Sequence, residues 1–178
     1  MGFTDLAMTQ PRILVAGIGN IFLGDDAFGS EVARRLMARS LPDEVKVVDF
    51  GIRGFDLTYA LLDEYELTVL VDATPRGDAP GALYTLEPDL SELDELEPHE
   101  AMVDTHGMNP LRVLSVAKSM GGRLQRILIV GCEPSPLDAE SEGQIGLSQP
   151  VATAVDNAVE LIELLITKTL AKSEIATA

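Results

Sequence analysis

The apolar positions of this chain follow two rhythms. Three runs, Arg12 to Ala16, Leu67 to Val71 and Arg126 to Val130, are almost unbroken in apolar residues, rich in β-branched side chains and closed by Gly or Asp. That is the pattern of strands covered on both faces. Val45 to Asp49 is a fourth candidate strand, and Ala82 to Leu86, which follows the Pro80-Gly81 turn signal and alternates, is a fifth that suits a sheet edge. Elsewhere the apolar residues recur at helical spacing: Phe28, Val32 and Leu36; Leu111, Leu114 and Ala117 after Pro110; and Val151, Val155, Ala158, Ile162 and Leu165 in a C-terminal stripe opened by Ser148 and Pro150. Strands alternating with helices imply right-handed crossovers. The expected fold is an α/β three-layer sandwich, a mostly parallel sheet with helices on both faces.

Composition narrows this picture. The 178 residues fit one domain, since domains run to roughly 100–200 residues. It is expected over residues 12–170, between an N-terminal tail (1–11) and a C-terminal tail (171–178), with no internal repeat or linker. Aromatics make up only 4% of the chain and Trp is absent, so the core must be built mainly from Val, Ile, Leu and Ala. A net charge of −16, with no segregated basic patch, argues against nucleic acid and anionic membrane surfaces as partners. The acidic stretch from Glu87 to Asp104 reads as a solvated connector. A single cysteine, Cys132, can form neither an internal disulfide nor a thiolate cage. There is no secretory leader pattern and no apolar run of membrane-spanning length. A cytoplasmic chain is expected and, without a surplus apolar stripe, a monomer.

In open parallel sheets, sites gather at the carboxyl ends of the strands. Strand one runs into Gly17-Ile18-Gly19-Asn20-Ile21-Phe22-Leu23-Gly24-Asp25-Asp26, strand two ends in Asp49 and strand three in Asp72, while His106 precedes a later helix. The Gly-x-Gly invites a dinucleotide-binding reading, with Asp49 as the ribose acid, but Phe22 stands where the third glycine belongs. Asp25 or Asp26 is equally suited to cap a helix, and Asp72 to close a turn. Neighbouring carboxylates repel, however, and a cation relieves that repulsion. Asp26 and Asp72 converge on one crevice if strands one and three are neighbours. With His106 they form a mixed oxygen and nitrogen set suited to an open divalent transition-metal site. His99, inside the acidic stretch, fits a solvated role. Cys132 reads as a small apolar filler at a strand end, and neither the serine-hydrolase elbow nor the zinc-protease helix is present.

The segment from Gly17 to Gly29 resembles the opening motif of the hydrogenase maturation endopeptidases. The resemblance extends through Val71-Asp72-Ala73, His106-Gly107-Met108-Asn109-Pro110 and Val130-Gly131-Cys132-Glu133-Pro134 to Gly146-Leu147-Ser148, nearly the whole domain. It implies a twisted five-stranded sheet between helices, with the family's metal ligands falling on Asp26, Asp72 and His106. It also implies a function: removal of the C-terminal extension from a nickel–iron hydrogenase large-subunit precursor after nickel insertion, with the precursor's own nickel as the recognition element. Two positions depart from the family pattern. Asp26 stands where some members have Glu, and Gly51-Ile52-Arg53-Gly54 stands where many have a Gly-Thr-like turn. On this reading the metal polarises the scissile carbonyl or activates water, and Asp26 is the leading candidate for general base. The alternatives are a nickel-checking chaperone that no longer cleaves and a dinucleotide-dependent oxidoreductase.

Overall fold

The computed structural model describes residues 12–91, 93, 109–136 and 145–177. From the N-terminal side, β1 (Ile13–Ile18) leads through a 3-10 turn (Gly24–Ala27) into α1 (Phe28–Met37). Next come β2 (Val45–Gly51), α2 (Gly54–Ala60), β3 (Leu67–Ala73) and β4 (Leu83–Leu86). The last elements are α3 (Pro110–Ser119), β5 (Arg126–Cys132) and α4 (Gln149–Thr177). The five strands form one sheet in the order β2-β1-β3-β5-β4, parallel except for β4, which lies antiparallel at the edge.

The unbroken apolar runs have a simple cause. Successive strand residues face opposite sides of a sheet, and here both sides are covered. Ile13 and Val15 of β1 and Val69 and Val71 of β3 pack under Phe28, Val32 and Leu36 of α1 and Val151, Val155 and Ile162 of α4. Leu14, Ala16 and Ile18 of β1 and Leu70 of β3 pack under Leu57 of α2 and Val113, Leu114 and Ala117 of α3. Each Val, Leu, Ile or Phe among them, fully buried, contributes about 1.5–3 kcal/mol. Asn109 caps α3, its side chain accepting from the Leu111 N–H at 3.0 Å, with Pro110 at the first helical position.

The register brings the functional ends level. Gly17 lies opposite both Asp49 of β2 and Val71 of β3, while Asp72 lies opposite Gly131 of β5. Strands β1, β2, β3 and β5 each run up to two residues beyond the apolar runs, because their pairing continues through Ile18, Gly51, Ala73 and Cys132. Helix α2 was not expected: seven residues are too few to display a helical period. The boundary expected at residue 170 falls inside α4, which is helical to Thr177. The expected tail of residues 1–11, both histidines and much of the acidic stretch lie outside the described residues. No described helix is long and apolar enough to cross a membrane.

Candidate functional site

From β1 the chain crosses to β2 on one side, and β3 lies on the other. This reversal opens a crevice beyond the carboxyl ends of β1 and β3, the place where open α/β sheets hold their ligands. Two glycines let the backbone close around it. A Cβ on Gly29 would collide with the carbonyl oxygens of Val71 and Ile18, so only glycine lets α1 sit this close to both strands. Gly19, at φ 142°, lies against the carbonyl of Asp26 and has no room for a side chain either. Its close approach is therefore to the protein's own turn rather than to a pyrophosphate.

The loop that carries Asp26 is closed by its own hydrogen bonds. The Asn20 N–H donates to Asp26 Oδ2 at 2.7 Å, and Asn20 Oδ1 accepts from the Phe22 N–H at 3.0 Å. The Leu23 N–H donates to the Asn20 carbonyl and the Asp26 N–H to the Leu23 carbonyl. One oxygen of Asp26 is thus held by backbone. Asp72, near the end of β3, is only 9% exposed. Burial, reinforced by the neighbouring charge of Asp26 and opposed by a backbone hydrogen bond at Ala73, pushes its carboxyl up to about 7. The two carboxylates that the sequence pairs do come together. A like-charged pair with one member out of water is an arrangement that a cation relieves. His106 lies outside the described residues, and among those described no three His, Cys, Asp or Glu side chains form a metal-binding group.

The other candidates have structural duties. Neither Asp25 nor Asp26 caps α1, whose N-cap is Ala27 with no side-chain bond. Asp25 instead accepts from the Ser135 N–H at 2.8 Å, the Ser148 N–H at 2.6 Å and the Ser148 hydroxyl at 2.8 Å. It ties the 3-10 turn to the loop after β5 and to the start of α4. Asp49 accepts from the Ser30 hydroxyl at 2.8 Å and the Gly51 N–H at 3.0 Å, which orients it within the fold. Cys132 is wholly buried, and burial, with the charges of Asp25 and Glu133, pushes its thiol up to about 12. A thiol held protonated in this way is no nucleophile.

Glu133 is an organising residue that the sequence argument left without a role. Its carboxylate accepts from the N–H groups of Arg76, at 2.7 Å, and Gly77, at 3.2 Å. Burial works to raise its pKa, yet these bonds, one from Asp78 and the Arg76 charge bring it below the usual carboxylate range. Arg76 also lies over the Tyr84 ring, 5.0 Å from its centre, and the Tyr84 hydroxyl donates to the Thr74 carbonyl. The loop after Asp72 is therefore clamped from β4 and β5. A signal for this was present: like Asp72, Glu133 is a carboxylate at the carboxyl end of an apolar strand.

Comparison with known proteins agrees with this fold. The family model HycI, described as hydrogenase maturation protease, matches residues 30–164. A Methanocaldococcus jannaschii protein named for hydrogenase maturation is 33% identical over 156 residues, covering 87% of this chain and 96% of its own. The crystal structure of a hydrogenase 2 maturation peptidase from Thaumarchaeota archaeon SCGC_AB-539-E09 is 33% identical in sequence. Its match covers 88% of this chain and 98% of that one, with a TM-score of 0.66. For the hydrogenase maturating endopeptidase HybD from Escherichia coli the values are 28% identity, 89% and 93% coverage and a TM-score of 0.69.

Proposed function

The chain belongs to the hydrogenase maturation protease family, and from that premise we propose that it removes the C-terminal extension of a nickel–iron hydrogenase large-subunit precursor once nickel has been inserted. In this reading it acts as a monomer in the cytoplasm, and the nickel arrives with the precursor as part of the substrate. The observation that carries the reading is the pairing of Asp26 with the buried Asp72 at the ends of β1 and β3. Together with His106 they engage the precursor's nickel, a borderline metal suited to oxygen and imidazole donors.

The protein's own contribution is positioning. Asp72 brings a desolvated carboxylate whose charge the arriving cation stabilises, and Asp26 is held by the Asn20 N–H. The clamped loop from Thr74 to Asp78 keeps the end of β3 in place. Holding the scissile peptide beside these groups turns a bimolecular encounter into an intramolecular step. Nickel bound there would polarise the carbonyl or a water, and the Asp26 carboxylate is the leading candidate to take the water's proton.

The test is tail removal, followed by mass spectrometry, on nickel-loaded and nickel-free precursor. Wild type should cut only the nickel-loaded form. Asp72→Ala and His106→Ala should abolish cleavage while circular dichroism stays native, and His99→Ala should cut normally. Equal cutting of nickel-free precursor would overturn nickel recognition. Binding that leaves the tail attached would make the chain a non-cleaving chaperone.

A further inference from the structure

Three consecutive large apolar side chains stand out of the turn that carries Asp26: Ile21, Phe22 and Leu23 are 48%, 67% and 53% exposed. A second group, Ile52, Phe55 and Tyr59, is 62%, 64% and 62% exposed on the loop after β2 and along α2. The bases of the two groups are joined, because the Gly19 N–H donates to the Gly51 carbonyl at 3.0 Å. Both loops are also built rather than slack. Asn20 closes the first with its side chain and carbonyl. Arg53 folds back over the second, its guanidinium donating to the carbonyls of Asp49 and Phe50, which leaves Ile52 pointing outward. Contiguous exposed apolar surface on a soluble domain marks an interaction site.

We infer that these two groups form the docking surface for an apolar face of the hydrogenase precursor beside its cleavage site. The inference rests on the functional reading above and names the surface through which it operates. The argument for this occupant is continuity with the site. Asp72 is buried, and Asp26 is only partly exposed, with one oxygen hydrogen-bonded into its own turn. A metal carried inside the precursor meets them only if the precursor comes down onto the strand ends. In doing so it covers the flanking turns at residues 21–23 and 52–55. The chain as a whole carries a net charge of −16, yet these six side chains carry none, and the adjacent Arg53 is engaged by Asp56 at 3.3 Å. The contact is therefore apolar in character. The Asn20 turn links it to the chemistry, since the N–H that holds Asp26 belongs to the same turn that presents Phe22.

The experiment compares wild type, Phe22→Ser, Phe55→Ser, the double variant and a control, Met37→Ser, at an exposed position on the last turn of α1. The probe is the nickel-loaded large-subunit precursor from the same organism. Affinity is read by biolayer interferometry, kcat and KM by tail removal, and oligomeric state by sedimentation. Exposed aromatic anchors at interfaces typically cost tenfold or more on truncation. Each single variant should weaken precursor affinity and raise KM by about tenfold and the double variant by about 100-fold. At saturating precursor, kcat should stay within about twofold of wild type, the signature of lost uniform binding. Met37→Ser should match wild type. Unchanged affinity in the double variant, beside a wild type that binds and cleaves, overturns the docking surface alone. So does a fall in kcat at constant KM, or a wild-type dimer that the variants dissociate. A wild type that neither binds nor cleaves the nickel-loaded precursor overturns the functional reading and this inference with it.

Discussion

In the folded chain the Asp72 carboxyl titrates at about 7, whereas an ordinary aspartate loses its proton near 3.8. Between those values the native state holds a proton that the unfolded chain has released. Stability therefore falls as pH rises: the contribution is fully present below about 4 and lost by about 7. Asp72→Asn removes the titration. It should leave the chain more stable than wild type at pH 8, by on the order of 2–4 kcal/mol, with the gap closing towards pH 4. Urea unfolding at pH 4.5, 6 and 8 measures this, and parallel pH profiles for the two proteins would contradict it. The same substitution should abolish cleavage, and the two outcomes together would show a residue that trades stability for function. That Asp72 ends a strand was legible in the sequence. How deeply it is buried was not, because burial depends on the elements packed around it. The sequence argument took Asp26 rather than Asp25 for the site, but what Asp25 does instead depends on the approach of residues 135 and 148, more than a hundred positions away.

The elements were legible where both faces of a strand are covered, since each apolar run then stands out against its Gly or Asp closure. Helix α2 was not, because two turns with Leu57 and Thr58 buried leave no period to count. The connections between elements are where side chains carry the load. Asp25 joins the 3-10 turn, the loop after β5 and the start of α4, where Ser148 also accepts the first helical bond, from the Ala152 N–H. Hydrogen bonds to a charged group contribute about 1.5–3 kcal/mol each, and they are not additive. Asp25→Ala should therefore lower the unfolding free energy by roughly 2–4 kcal/mol. Glu31→Ala, which removes exposed pairs to Arg34 and Arg35 within α1, should cost no more than about 1 kcal/mol. Denaturant midpoints for the two variants make the comparison, and an equal, small effect would show that Asp25 is not a structural joint.

For the whole molecule the decisive fact is strand order, because the adjacency of β1 and β3 brings Asp26 to Asp72. The sequence argument posed that adjacency as a condition and the fold meets it. The third member of the expected set, His106, lies outside the described residues, so the sequence remains its only source. The strand order also seals Cys132 between Ala73 of β3 and Leu83 of β4, with no exposed surface. As the chain's one cysteine, it is an internal stopwatch for the opening of the sheet. A thiol reagent at pH 8 can modify it only in molecules whose β5 has come away from its neighbours. Its labelling rate, divided by that of the denatured chain, then gives the opening equilibrium directly. For a domain of ordinary stability, labelling should be slower than in the denatured chain by about a thousandfold or more. It should quicken with urea along the global unfolding curve, whereas rapid labelling without urea would mean that β5 opens independently of the rest. Bound precursor, if it favours the closed sheet, should slow the stopwatch further in proportion to its occupancy, so that one sulfur atom reports on docking without a label at the interface itself.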